Sequence, residues 1–199
     1  MKKIIAAAAV GALFVATGAF AQTAPKDVKP GAYKVEGYHT QVLFSVSHFG
    51  LSNFAGVYSG ATGTLNINPA KPSESKLEVA IDTATVQTIS PKLTEELKDD
   101  KWLDSAKFPK AAFVSTKVTP EGDNAATIEG NLTLHGVTKP LTLKAKYVGA
   151  GVNPINKHYT LGFEATGTVK RTDFGVSTYA PYIGDNVTLT INGAFELQD

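Results

Sequence analysis

Along most of this chain, apolar and polar residues trade places at every step. Leu77, Val79 and Ile81 alternate with Lys76, Glu78, Ala80 and Asp82. The same period of two carries Ile128, Gly130, Leu132 and Leu134, then Leu141, Leu143, Ala145 and Tyr147. It returns in Leu161, Phe163, Ala165 and Val169, and again in Val187, Leu189, Ile191, Phe195 and Leu197. Such alternation predicts strands with one wet face and one dry face. Further strands are expected over residues 32–38, 41–49 and 56–68, with another near 112–118. Turn signals separate them: Asn68-Pro69, Pro120-Glu121-Gly122-Asp123, Gly136, and the glycine-rich stretch 149–154. Gly136-Val137-Thr138 joins its two strands so tightly that they must form an antiparallel hairpin. Eight or nine strands without intervening helices predict a closed sheet or a sandwich.

One segment departs from that period. Ser90-Pro91 is a helix start, with Ser90 as N-cap and Pro91 at the first helical position. Leu93 and Leu97 follow at i and i+4, while Glu95 and Glu96 suit the positive N-terminal end. The helix is expected to end near Asp100, and a lone helix beside a barrel serves as a plug or lid for one end.

The first residues bear on compartment. Lys2 and Lys3 precede an apolar run over 4–20 that ends in Ala19-Phe20-Ala21, and no further charge occurs before Lys26. This pattern predicts a signal peptide cleaved after Ala21 and export to a periplasm, without a stable membrane anchor. Residues 22–30 contain Pro25 and Pro30 and read as a flexible lead-in to a domain over 31–199. Loss of the two signal lysines takes the net charge from +1 to −1, which gives no basic face for nucleic acid. The chain has no cysteine, which excludes disulfides, thiolate metal sites, cysteine nucleophiles and a cysteine-linked lipid anchor.

Little enzymatic chemistry is written in the residues. No G-x-S-x-G elbow occurs, and Asp173-Phe174-Gly175 stands without the other parts of a kinase. Gly149-Ala150-Gly151 opens a hairpin loop rather than a helix, so it is no nucleotide fingerprint. His39, His48, His135 and His158 show no i, i+4 pair of a zinc enzyme, and neither a metal nor a cofactor is expected. His48 reads either as a polar contact at the end of the interior or as a residue bonded to its own turn. His135 belongs to turn chemistry. Arg171 either holds a ligand oxygen or pairs with Asp173 or Asp185. Trp102, Tyr179 and Tyr182 either line an opening or close the core. On the dry face, Gly63, Gly130, Ala145, Ala165, Gly167 and Gly193 are small. They leave volume for a long apolar ligand, or the glycines relieve strain where the sheet bends; periodicity does not choose.

Four stretches resemble the YceI family of exported lipid-binding proteins. They are His39-Thr40 with Val42, Phe44, Val46 and His48-Phe49-Gly50; Trp102-Leu103-Asp104 with Lys107-Phe108-Pro109; the run 128–143; and Arg171-Thr172-Asp173-Phe174-Gly175 followed by Asp185. They lie in the family's order and span residues 30–197. The resemblance implies an all-β fold: an extended antiparallel eight-stranded lipocalin-like barrel with one short helix near one end. It also implies an apolar tunnel, a polyisoprenoid or other long-chain lipid as ligand, an exported location, and frequent homodimers. Edge strands and exposed aromatics permit a homodimer without requiring one. The family's helix often carries Arg-Asp-x-His-Leu, where this chain has Leu93-Thr94-Glu95-Glu96-Leu97. That departure favours a neutral quinone, alcohol or amide head over an anionic phosphate.

The expected function is therefore a carrier that holds an isoprenoid-like chain or quinone in the barrel. The inward residues assigned to it are Val42, Phe44, Val46, Leu65, Val79, Ile81, Leu132, Leu143, Leu161, Phe163, Leu189 and Ile191, with Leu97 and Trp102 as lid and His48 and Arg171 as polar contacts. Two rivals are an enzyme centred on His48, Arg171 and Asp173, and a fully packed barrel acting as a stress-related interaction protein.

Overall fold

A computed structural model describes residues 24–198; the expected signal segment and its cleavage point lie outside the described residues. Eleven strands form one antiparallel sheet: β1 (Gly31–Val35), β2 (Gln41–His48), β3 (Ser52–Tyr58), β4 (Thr62–Ile67), β5 (Lys76–Asp82), β6 (Gln87–Thr88), β7 (Lys110–Glu121), β8 (Ala125–Leu134), β9 (Val137–Val152), β10 (Tyr159–Lys170) and β11 (Ile183–Leu197). Helix α1 (Pro91–Lys98) lies between β6 and β7.

Eight of these strands close a ring in the order β1-β4-β5-β7-β8-β9-β10-β11, and β11 returns to β1. The closing strand serves two partners on one edge. Its C-terminal part pairs with β1, Phe195 opposite Val35 and Leu197 opposite Tyr33. Its earlier part pairs with β2, Ile191 opposite Val42 and Val187 opposite Val46. Thus β1 and β2 are one long strand, interrupted over 36–40. The interruption is built from side chains: the Glu36 carboxylate accepts from the backbone N of Tyr38 and His39, and Thr40 Oγ1 exchanges hydrogen bonds with the Ala194 backbone. β3 and β4 are interrupted in the same way around Gly60, whose φ of 67° suits glycine.

The two barrel ends differ. At the helix end, β2 and β3 run past the closed ring, and β6 adds a short third strand against β3. Helix α1 and the segment 99–109 bridge from there to β7. Ser90 caps α1 by accepting from Leu93 N at 3.4 Å, as the Ser-Pro signal predicts, and the helix stops at Lys98. At the opposite end, Pro25–Asp27 forms a 3-10 turn and Val28 is buried with Tyr33, Val35, Leu65, Leu161 and Phe195. The described part of the segment read as a flexible lead-in therefore packs into that end, because Val28 offers an apolar side chain between its prolines. Among the described residues no helix is long and apolar enough to cross a membrane.

Candidate ligand-binding site

A cavity of about 530 Å³ runs through the barrel between the two ends, within the range of small-molecule sites. Inward side chains of every ring strand from β4 to β11 line it, and so do Val42, Phe44 and Val46 of β2. At the lead-in end its lining includes exposed Lys26, Pro72, Asp123 and Asn124, which mark the mouth. At the helix end the lining is Leu97 and Trp102 with buried Leu103, Arg171 and Val176, so the floor is sealed.

The alternation that predicts the strands also places most of the candidate residues. Val42, Phe44, Val46, Leu65, Val79, Ile81, Leu132, Leu143, Phe163, Leu189 and Ile191 all face the cavity, and Leu97 and Trp102 cover its helix end. Two assigned residues stand elsewhere. Leu161 is fully buried against Val28, Tyr33 and Phe195, in solid packing beside the cavity rather than on its wall. His48 is exposed at the last position of β2, beyond the cavity. The register explains it: Val46 pairs with Val187 but His48 pairs with Ile183, so β11 carries extra residues there and the two strands lose their common face. The ring of His48 sits edge-on to Phe49 at 4.3 Å.

The small inward residues divide into two groups. Ala145, Ala165 and Gly193 border the cavity, and Ala145 pairs directly with Ala165. Gly63, Gly130 and Gly167 do not. A Cβ on Gly130 would lie 2.4 Å from the Phe113 ring, and one on Gly167 would lie 2.6 Å from Leu143 Cδ2. Gly130 and Gly167 thus seat a neighbour's side chain, and Gly63 lets the β5 backbone approach, where a Cβ would lie 2.1 Å from Glu78 O; all three contribute close packing instead of volume.

Among the described residues Arg171 is the charged group in the floor. It is 4 % exposed, and its guanidinium donates to three backbone carbonyls: Nε to Gly184 O at 2.8 Å, Nη1 to Val176 O at 2.7 Å and Nη2 to Ile183 O at 2.8 Å. Burial lowers its pKa, against the opposing pull of Asp185. The expected ion pair with Asp173 or Asp185 is replaced by this carbonyl cradle, because Asp185 turns to Thr172, accepting from its N and Oγ1 at 2.9 and 2.8 Å. Asp173 sits on the surface within 3.8 Å of Lys170. His48, Arg171 and Asp173 therefore do not converge in the cavity.

The remaining histidines each have one ring nitrogen bonded near by, although His135 Nε2 is buried without a partner among the described residues. His39 meets Glu36 at 2.8 Å and His158 meets Glu196 at 2.9 Å, both at the surface. His135 Nδ1 donates to Phe174 O at 3.1 Å, within the β8–β9 turn and against the Phe108 ring. Among the described residues no three His, Cys, Asp or Glu side chains group as metal ligands. Tyr179 and Tyr182 are exposed, with Tyr179 edge-on to Trp102 at 6.2 Å.

Sequence reasoning missed Tyr58. It enters the cavity from β3, its ring 5.7 Å from Phe44, and burial pushes its phenol well above the ordinary range. The alternation Phe54, Gly56, Tyr58 carries the signal, but a central glycine weakens it.

Comparison with known proteins follows the same lines. A UPF0312 protein of Pseudomonas fluorescens is 37 % identical over 199 residues, covering 96 % of this chain and 96 % of its own. The crystal structure of the Campylobacter jejuni YceI protein, 27 % identical, matches with a TM-score of 0.67 over 77 % of this chain and 90 % of its own. A polyisoprenoid-binding domain from Saccharophagus degradans shares the fold at 13 % identity, with a TM-score of 0.62 over 85 % of this chain and 100 % of its own. The YceI-like domain itself matches residues 33–195, nearly the whole of the barrel. With the ring, the helix and the tunnel already in place, that match makes this chain a member of the YceI family.

Proposed function

We propose that this protein binds and carries a long-chain, isoprenoid-like lipid, a polyprenyl chain or quinone, inside its barrel. The observation that carries the reading is the cavity: continuous from mouth to floor and walled almost wholly by aliphatic and aromatic side chains. An interior of that kind favours an alkyl or isoprenoid chain over a compact polar metabolite. A structural neighbour named for polyisoprenoid binding supports the same ligand class. The packed-barrel rival lacks this space, and an enzyme centred on His48, Arg171 and Asp173 lacks a shared site. Cleavage after Ala21 and action in the periplasm belong to the same proposal, and rest on the N-terminal sequence pattern.

Native mass spectrometry of mature protein, residues 22–199, purified from a periplasm without detergent, tests it. A stoichiometric long-chain adduct is the expected result, and the same spectrum reports whether the protein is a monomer or homodimer. A bare mass that stays bare after incubation with quinones and polyprenols would overturn the proposal.

A further inference from the structure

Buried polar side chains in folded proteins nearly always have hydrogen-bond partners. Tyr58 does not. Its hydroxyl makes no hydrogen bond among the described residues, although the residue is deeply desolvated. Its packing is apolar: its ring meets Phe44 at 5.7 Å, on the cluster of Phe44, Val86 and Leu103 against which Leu97 of α1 also packs. The surface it keeps faces the cavity. A phenol in that position retains its proton and so serves as a donor.

We infer that Tyr58 donates a hydrogen bond to a neutral carbonyl oxygen of the bound lipid, whose polar end enters first and lies in the helix-covered half of the tunnel. The inference rests on the lipid-binding reading and adds both a ligand class and an orientation. A neutral acceptor fits because burial alone shifts the Tyr58 phenol, with no charged group acting on it that could balance a buried anion. Arg171, deeper in the floor, already serves three backbone carbonyls. The rival orientation leaves the head in water at the mouth, where Lys76 and Asp123 stand. The two arrangements make different residues matter.

Delipidated mature protein is titrated calorimetrically with a ubiquinone of four isoprene units and with squalene, which has isoprene repeats and no oxygen. Tyr58→Phe removes one oxygen and keeps the ring, so the fold is retained. Quinone affinity is expected to fall about tenfold in Tyr58→Phe, the order of one lost hydrogen bond, with squalene affinity unchanged. The infrared carbonyl stretch of the bound quinone should move to higher frequency in the same variant. Equal quinone binding by wild type and Tyr58→Phe would overturn the inference. So would equal weakening of both probes, or a loss caused by Lys76→Ala in place of Tyr58→Phe. If wild-type protein binds neither probe, the carrier reading fails as well, and that outcome is distinct from the others.

Discussion

The Arg171 guanidinium lies against the face of Trp102, 5.5 Å from the ring centroid, so a strand end and the segment after α1 meet across the cavity floor. The contact joins a cation already held by three carbonyls to an aromatic surface, a favourable pairing where water is excluded. It ties the lid to the loop between β10 and β11.

Arg171→Met should therefore unfold the floor and not merely empty it. Three carbonyls lose their charge-assisted donors, at a cost of about 3–5 kcal/mol. Urea denaturation measures the loss, and Arg171→Lys should recover little, because an ammonium cannot reproduce the planar fork.

Ala165→Phe should block the tunnel while leaving the fold intact. Ala165 and Ala145 face each other across β9 and β10 on the cavity wall, so added bulk enters open space. Lipid extracted per mole of protein should drop sharply, whereas Lys144→Ala on the outer face of β9 should leave it unchanged. Equal lipid in both variants would count against the cavity as the ligand site.

Val28→Ala should loosen the mouth. Val28 is 5 % exposed and packs on Tyr33 and Leu161, so losing two methyl groups costs about 2 kcal/mol. The more telling readout is kinetic: exchange of a bound fluorescent lipid should quicken, because the lead-in turn that borders the opening is then held less firmly.

Acid stability should depend on Asp185. Burial alone would raise its pKa, but the hydrogen bonds from Thr172, with Lys170 and Arg171 nearby, outweigh it and hold the carboxyl below its ordinary 3.8. A depressed folded pKa contributes stability that is present above the unfolded value and is lost as pH falls through the folded one. Thermal melts should thus decline below about pH 4, and Asp185→Asn should flatten that decline.

Much of this architecture was legible in the chain, and the misses have physical causes. Strands with one wet face announce their inward residues, which is why Val79, Leu132 and Ile191 fall on the cavity wall where alternation puts them. Alternation carries no information about depth, so Leu161, inward but at a packed end, looked the same as Leu143. His48 failed because a bulge in a distant strand set its facing. The start of β3 was hidden because Phe49 and Gly50 both take positive φ, 56° and 68°, in the turn before it, and Phe49 gives no hint of that conformation. The glycines could not be read either way: at Gly130 and Gly167 the absent side chain makes room for Phe113 and Leu143, and at Gly63 for the backbone of β5. The inward facing of Tyr58 was legible, if weakly, in the alternation with Phe54 and Gly56, but only a structure shows that its hydroxyl has no partner.

The split pairing of β11 has a consequence for the order of assembly. Residues 187–197 supply the seam for β10 on one side and for both halves of the first long strand on the other. Before that last strand arrives, those edges stay bare and the interior stands open along its whole length. The ring can shut only once β11 has been made, and its first and last strands, Tyr33 opposite Leu197, come together across the greatest sequence separation the barrel contains. Such closure is intrinsically late and slow. A hydrophobic chain present at that moment could be wrapped from the side as the seam forms, with no need to thread through the mouth.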